Sequence, residues 1–257
     1  MSSTDAFSLK GRCAIVTGAS RGIGRALALG LADAGADLIL MARSGKALES
    51  VADEIRGSGR QAWPVVADIG DIDAIEVAFA TLDRLSLTPD ILINNAGLER
   101  VCPSGEVDTA LWDSLLSTNL KGAFFCAQAL ANRLQKAGRP GAIVNLCSLA
   151  TAVGIPGSAA YGAAKTGLAG LTRALSSEWA GTGIRVNALG PGYFHTDMTD
   201  LFYQDVAWRE RMLAAIPMAR FGELDDLVGP TVFLCSSAAR YVSGQILYVD
   251  GGYLACI

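Results

Sequence analysis

Two residues on one turn of a helix could move a proton. Tyr161 stands four positions before Lys165, and side chains at i and i+4 share a helix face. A free phenol titrates near ~10, too high to exchange protons readily at neutral pH. A neighbouring ammonium favours the phenolate. A tyrosine tuned in this way can trade a proton with an alcohol or carbonyl oxygen. Ser148, thirteen residues before Tyr161, closes a strand-like run and can hold the same oxygen by a hydrogen bond. A Tyr four residues before a Lys is common by chance, so this pair carries weight only in company.

The company begins near the first strand candidate. Thr17-Gly-Ala-Ser-Arg-Gly-Ile-Gly24 joins the apolar run Cys13–Thr17 to an Ala/Leu-rich segment. A strand, a glycine turn and a helix present backbone N–H groups and a positive helix end to a pyrophosphate. In this reading Gly18 makes the turn, Gly22 admits the cofactor, and Gly24 lets the helix pack closely. Ser20, Arg21 and Ile23 complete the loop. The spacing is GxxxGxG, which an ordinary glycine-rich turn also produces.

At the end of the second strand candidate an acid would bind the ribose 2′-hydroxyl of NAD. That end reads Leu38-Ile-Leu-Met-Ala-Arg43-Ser44, without an acid. Arg43 and Arg21 could instead pair with a 2′-phosphate, which favours NADP; both could equally be solvated loop residues. Asp68, with Ile69 beside it, ends the third strand candidate. It offers an acceptor to the adenine amino group, or caps the next helix.

The elements that must position these groups alternate along the chain. Strands are expected at Cys13–Thr17, Asp37–Met41, Ala62–Val66, Ile91–Ile93, Ala142–Leu146, Ile184–Leu189 and Ile246–Val249. Helices are expected at Gly22–Ala34, Gly45–Ile55, Asp71–Leu85, Thr109–Gln135, Ser158–Trp179 and Glu223–Ser236, with a less regular helical stretch over Thr196–Ala215. Short β-rich runs separated by helices indicate βαβ units. The expected fold is α/β, one doubly wound Rossmann-type domain over residues 1–257, with a parallel sheet of about seven strands.

Bulk properties narrow the class. The chain has 257 residues, about half of them apolar, and a net charge of −4. That balance argues against broad nucleic-acid binding. The start lacks a signal-peptide pattern, and no apolar run approaches the ~18 residues that span a bilayer. Six scattered cysteines without CxxC spacing read as reduced thiols of a cytoplasmic protein. A single histidine makes a His-based metal site improbable; no metal is expected.

The ordered motifs resemble the short-chain dehydrogenase/reductases over nearly the whole chain. They are the Thr17–Gly24 loop, Asn94-Asn-Ala-Gly97, Ser148, Tyr161-Gly-Ala-Ala-Lys165 and Pro191-Gly192, with Asn119 matching the asparagine of a catalytic tetrad. The resemblance implies that Tyr161 is the general acid/base. It implies that Lys165 binds the nicotinamide ribose and lowers the Tyr161 pKa, and that Ser148 orients the substrate oxygen. Asn119 would support a water linking Lys165 to solvent. Asn95, Ala96 and Gly97 would border the adenosine, and Pro191, Gly192 and Thr196 the nicotinamide side. A homotetramer is implied too, with interfaces at the long helices and near the C-terminal strand.

Local alternatives stand beside these roles. Asn119 inside a long helix could simply bond a backbone carbonyl, and Asn94 could be a turn residue. Cys147 reads as a buried thiol rather than a nucleophile. The substrate pocket is expected to be closed by Leu98–Arg100, Leu149–Gly157 and a lid over 193–217, with Glu99, Leu149, Tyr193, His195 and Phe202 contacting substrate. The runs after Pro191 and at the C-terminus resemble the gluconate 5-dehydrogenase-like members, which act on sugars, sugar acids or polyols. The alternatives are a 3-oxoacyl-carrier-protein reductase or another ketone reductase, and a dinucleotide-binding protein without chemistry. Loss of Tyr161 or Lys165 would mark the last, and both are present.

Overall fold

A computed structural model describes residues 5–195 and 203–256. Seven strands run parallel in the order β3-β2-β1-β4-β5-β6-β7. They are β1 (Cys13–Thr17), β2 (Asp37–Ala42), β3 (Ala62–Val66), β4 (Ile91–Asn94), β5 (Gly141–Leu146), β6 (Ile184–Pro191) and β7 (Ile246–Val249). The order reverses between β1 and β4, so a crevice opens beyond their C-terminal ends.

Successive strand residues point to opposite faces, and here both faces are buried. Ile15, Ile39, Leu92 and Ile143 enter one core, beneath α3 (Ile72–Arg84), α5 (Ala123–Ala137) and α6 (Ala159–Trp179). Their neighbours Val16, Leu40, Ile93 and Val144 enter the other. That second core lies beneath α1 (Gly22–Asp33), α2 (Gly45–Gly57) and α8 (Val228–Cys235). Continuous apolar strands are what a parallel sheet covered on both sides requires.

One expected element is not a single helix. The Thr109–Gln135 span is α4 (Thr109–Leu116), a wider π-helical segment over Ser117–Gly122, and α5. Asn119 lies in the widened turn, and its Nδ2 donates to Leu115 O at 2.9 Å. A methyl on Gly122 would strike the Ile69 carbonyl, so this turn rests directly on the loop after β3. π-Segments within α-helices concentrate at functional sites. The Glu223–Ser236 stretch likewise divides into a 3₁₀ turn at Leu224–Leu227 and α8. Of the helical stretch expected over Thr196–Ala215, the described part contains α7 (Val206–Ala215). Thr196 and Phe202 lie outside the described residues. No described helix is long and apolar enough to cross a membrane.

Candidate active site

The first glycine loop is built from backbone. Gly18 and Gly22 hold φ of +67° and +54°, a region that favours glycine. A methyl on Gly24 would collide with the Gly18 carbonyl and the Asn95 amide. Asn95 Nδ2 donates to Thr17 O at 2.9 Å, and Thr17 Oγ1 accepts from the N–H groups of Asn95 and Ala96 at 3.0 Å. The Asn94–Gly97 turn is thereby bolted to the glycine loop. Asn94 is no turn residue but the last residue of β4; its Nδ2 donates to Asn145 Oδ1 and to Ala123 O, both at 2.9 Å.

These loops wall a cleft of about 850 Å³ beyond the strand ends, within the range for a cofactor-sized ligand. At one end lie Arg21, Arg43 and Asp68. The Arg43 guanidinium stands 3.9 Å from Asp68, and both side chains are well exposed. Asp68 does not cap the next helix. Its Oδ1 accepts from Gly70 N at 2.9 Å, and Asp71 supplies the cap of α3. At α1 the residue before the helix is Arg21, whose side chain makes no capping bond. The first-turn N–H groups are therefore without a side-chain cap where a pyrophosphate would need donors. On these observations the cleft fits a nicotinamide dinucleotide.

At the other end Asn119, Ser148, Tyr161 and Lys165 converge. Tyr161 and Lys165 share one face of α6, with Lys165 Nζ 5.6 Å from the Tyr161 ring centre. Lys165 is 4% exposed, and its ammonium donates to Leu146 O at 2.6 Å. Ser148 starts the 3₁₀ turn Leu149–Thr151, where its Oγ accepts from Ala150 N at 3.2 Å. Thr151 Oγ1 donates to Ser148 O and pairs with the Tyr248 hydroxyl, each at 2.6 Å. Asn119 spends its side chain on backbone. Besides Leu115 it donates to Leu98 O at 2.8 Å and accepts from Leu98 N at 3.1 Å. A methyl on Gly97 would lie 2.7 Å from Asn119 Oδ1 and 3.6 Å from Lys165 Nζ, so bare backbone lets these groups close on one spot.

Burial pushes the Tyr161 phenol well above its ordinary range and the Glu99 carboxylate adds to this, while Ser148, which faces it, favours the ionised form. Burial also lowers the Lys165 pKa. Burial raises Glu99, against the pull of Lys165 and Ser158. Cys147 is pushed up to about 11, chiefly by burial, as befits an inert thiol.

Of the expected cofactor contacts, the structure brings Gly18, Ser20, Arg21, Gly22, Ile23, Gly24, Arg43, Asp68, Ile69, Asn95, Ala96, Gly97, Pro191 and Gly192 to this cleft. Glu99 lines it too, but Leu149, Tyr193 and His195 do not. Leu149 is turned into the interior at 3% exposure. Tyr193 packs edge-on against Trp208 and Tyr253, and His195 against Tyr203. Phe194, between them, lines the cleft in their place. Leu98 lines it, in keeping with the expected Leu98–Arg100 wall, and Thr118 lines it unforeseen. Thr118 adjoins Asn119, which the motifs single out, and that adjacency was the available signal.

Comparison with known proteins agrees with this geometry. Residues 18–254 match the family described as enoyl-(acyl carrier protein) reductase. The chain is 42% identical to gluconate 5-dehydrogenase of Gluconobacter oxydans (strain 621H), covering 98% of both chains. It is 40% identical to 3-oxoacyl-[acyl-carrier-protein] reductase FabG of Staphylococcus aureus (strain Mu50 / ATCC 700699), covering 94% of this chain and 97% of that one. A crystal structure of a gluconate 5-dehydrogenase from Burkholderia cenocepacia J2315, in complex with NADP and tartrate, superposes with a TM-score of 0.96 at 36% identity, covering 99% of each chain. The chain belongs to the short-chain dehydrogenase/reductase family, nicotinamide-dependent oxidoreductases of CH–OH groups.

Proposed function

We propose that this protein interconverts a secondary alcohol and its ketone on a sugar acid or polyol, with gluconate the leading candidate and NADP preferred over NAD. The observation that carries the chemistry is the meeting of Asn119, Ser148, Tyr161 and Lys165 at one end of a cleft whose other end is the glycine loop. The 42% identity to a gluconate 5-dehydrogenase supports the substrate class.

In this reading Tyr161 takes the hydroxyl proton during oxidation and returns it during reduction. Ser148 holds the same oxygen in place. Lys165, anchored on Leu146 O, would hold the nicotinamide ribose. Asn119 keeps the 97–98 turn at the correct distance through its bonds to Leu98. A bound nicotinamide supplies or accepts the hydride at the carbon that bears this oxygen. Arg21 and Arg43 would hold a 2′-phosphate, and Asp68 the adenine.

A homotetramer in the cytoplasm completes the proposal. The described cysteines are all free thiols, in keeping with a reducing compartment. The second reading, a 3-oxoacyl-carrier-protein reductase, draws on the 40% identity to FabG. A panel of gluconate, 5-ketogluconate, polyols and acetoacetyl thioester, run with both cofactors and in both directions, separates the two. Turnover confined to the thioester would overturn the sugar-acid reading. Sedimentation as a monomer at micromolar concentration would overturn the tetramer.

A further inference from the structure

Among the described residues, two carboxylates line the cleft: Asp68, facing Arg43 at the dinucleotide end, and Glu99 at the reacting end. Glu99 is close enough to Tyr161 to act on its phenol and close enough to Lys165 to feel its charge. Its place in the chain is fixed, because both backbone groups of Leu98 are bonded to the Asn119 side chain at 3.1 and 2.8 Å. The Ser158 hydroxyl, which makes no capping bond to α6, faces the carboxyl. Lys165 is meanwhile held on Leu146 O at 2.6 Å. A carboxylate has about four acceptor sites, and the buried Ser158 hydroxyl beside it is itself without a hydrogen-bond partner.

A partly desolvated acceptor beside the reacting carbon needs donors from the substrate. A hydroxyl on the neighbouring carbon supplies one, whereas a plain alkyl ketone supplies none. A carboxylate at that carbon would meet like charge. We propose that Glu99 is a specificity-determining residue that accepts a hydrogen bond from a hydroxyl on the carbon next to the reacting one, so that the site selects vicinal diols and α-hydroxyketones. The inference rests on the placement of the reacting oxygen at Tyr161 and Ser148.

The size of the selection follows from its setting. A site built to bond a substrate hydroxyl rejects the analogue without it by up to ~10⁴–10⁵ when fully buried. Glu99 is only partly buried, so water fills in for the missing hydroxyl, and a preference on the order of 10² is expected.

The test measures NADPH oxidation with 2-hydroxycyclohexanone and with cyclohexanone, reading the ratio of their kcat/KM values within each variant. Effects on the shared proton step cancel in that ratio. The wild-type ratio should be about 10² in favour of the hydroxyketone. Glu99→Leu should bring it to within a few-fold of one, and Glu99→Gln, which keeps an acceptor oxygen, should leave it between the two. NADPH binding by fluorescence checks that each variant is folded, and the isosteric glutamine variant carries the test should the leucine variant fail to fold. A wild-type ratio near one, a ratio unchanged in the variants, or no turnover of either probe overturns the proposal. Gluconate oxidation without the hydroxyketone preference sinks this inference alone. The preference without any sugar-acid or polyol turnover sinks the sugar-acid reading alone.

Discussion

Replacing Arg43 by alanine should weaken NADP without comparable harm to NAD. The guanidinium lies at the dinucleotide end of the cleft, just past β2, with 68% of its side chain exposed. Its ion pair with Asp68 is long at 3.9 Å, so releasing it toward a phosphate costs little; such exposed pairs are worth about 0–1 kcal/mol. A hydrogen bond to a charged group contributes about 1.5–3 kcal/mol, and exposure places this one near the lower end. The net loss is then about 1–2 kcal/mol, or roughly 5- to 30-fold in kcat/KM for NADP. The loss for NAD, which has no 2′-phosphate, should stay within about 2-fold. Initial rates of one alcohol substrate with each cofactor, at fixed ionic strength, measure both numbers. Equal losses for the two cofactors would remove Arg43 from the 2′-phosphate site and the argument with it.

Alcohol oxidation should accelerate as pH rises. Burial and Glu99 raise the Tyr161 pKa, so the neutral phenol dominates at pH 7 and the base grows in with pH. Glu99→Gln removes a charge that raises this pKa, so the alkaline limb should move to lower pH; a limb that stays in place would show that the two groups do not communicate. Tyr248→Phe removes the hydroxyl that pairs with Thr151, the residue holding the Ser148 carbonyl. One such bond is worth about 1 kcal/mol, so substrate kcat/KM should fall roughly 5-fold while the cofactor KM holds. An equal effect on cofactor KM would count against a local action through Ser148.

The sheet was legible because its strands are nearly uninterrupted apolar runs, such as Ala142-Ile-Val-Asn-Leu146, and parallel strands covered on both faces allow little else. The glycine loop was legible for a similar reason: Gly18, Gly22 and Gly24 answer to backbone geometry that the spacing records. What escaped was set by contacts distant in sequence. The Thr109–Gln135 pattern is helical throughout, and it breaks into a π-segment where Asn119 reaches Leu98, twenty-one residues away. Tyr193 and His195 pack in an aromatic cluster with Tyr203 and Trp208 while Phe194 lines the cleft, contacts that no spacing in the sequence reveals. Glu99, sixty-two residues before Tyr161, also acts on its phenol, a neighbour that the four-residue spacing to Lys165 does not reveal.

The central claim is that Tyr161 moves the proton. Tyr161→Phe keeps the ring and the α6 packing while removing the hydroxyl. Pre-steady-state and steady-state turnover of the best alcohol substrate, with NADP(H) binding measured on the same preparation, tests it most directly. The account predicts that turnover falls by roughly 10² to 10⁴ with the cofactor Kd within a few-fold of wild type. Turnover near the wild-type rate, with cofactor bound, would contradict it.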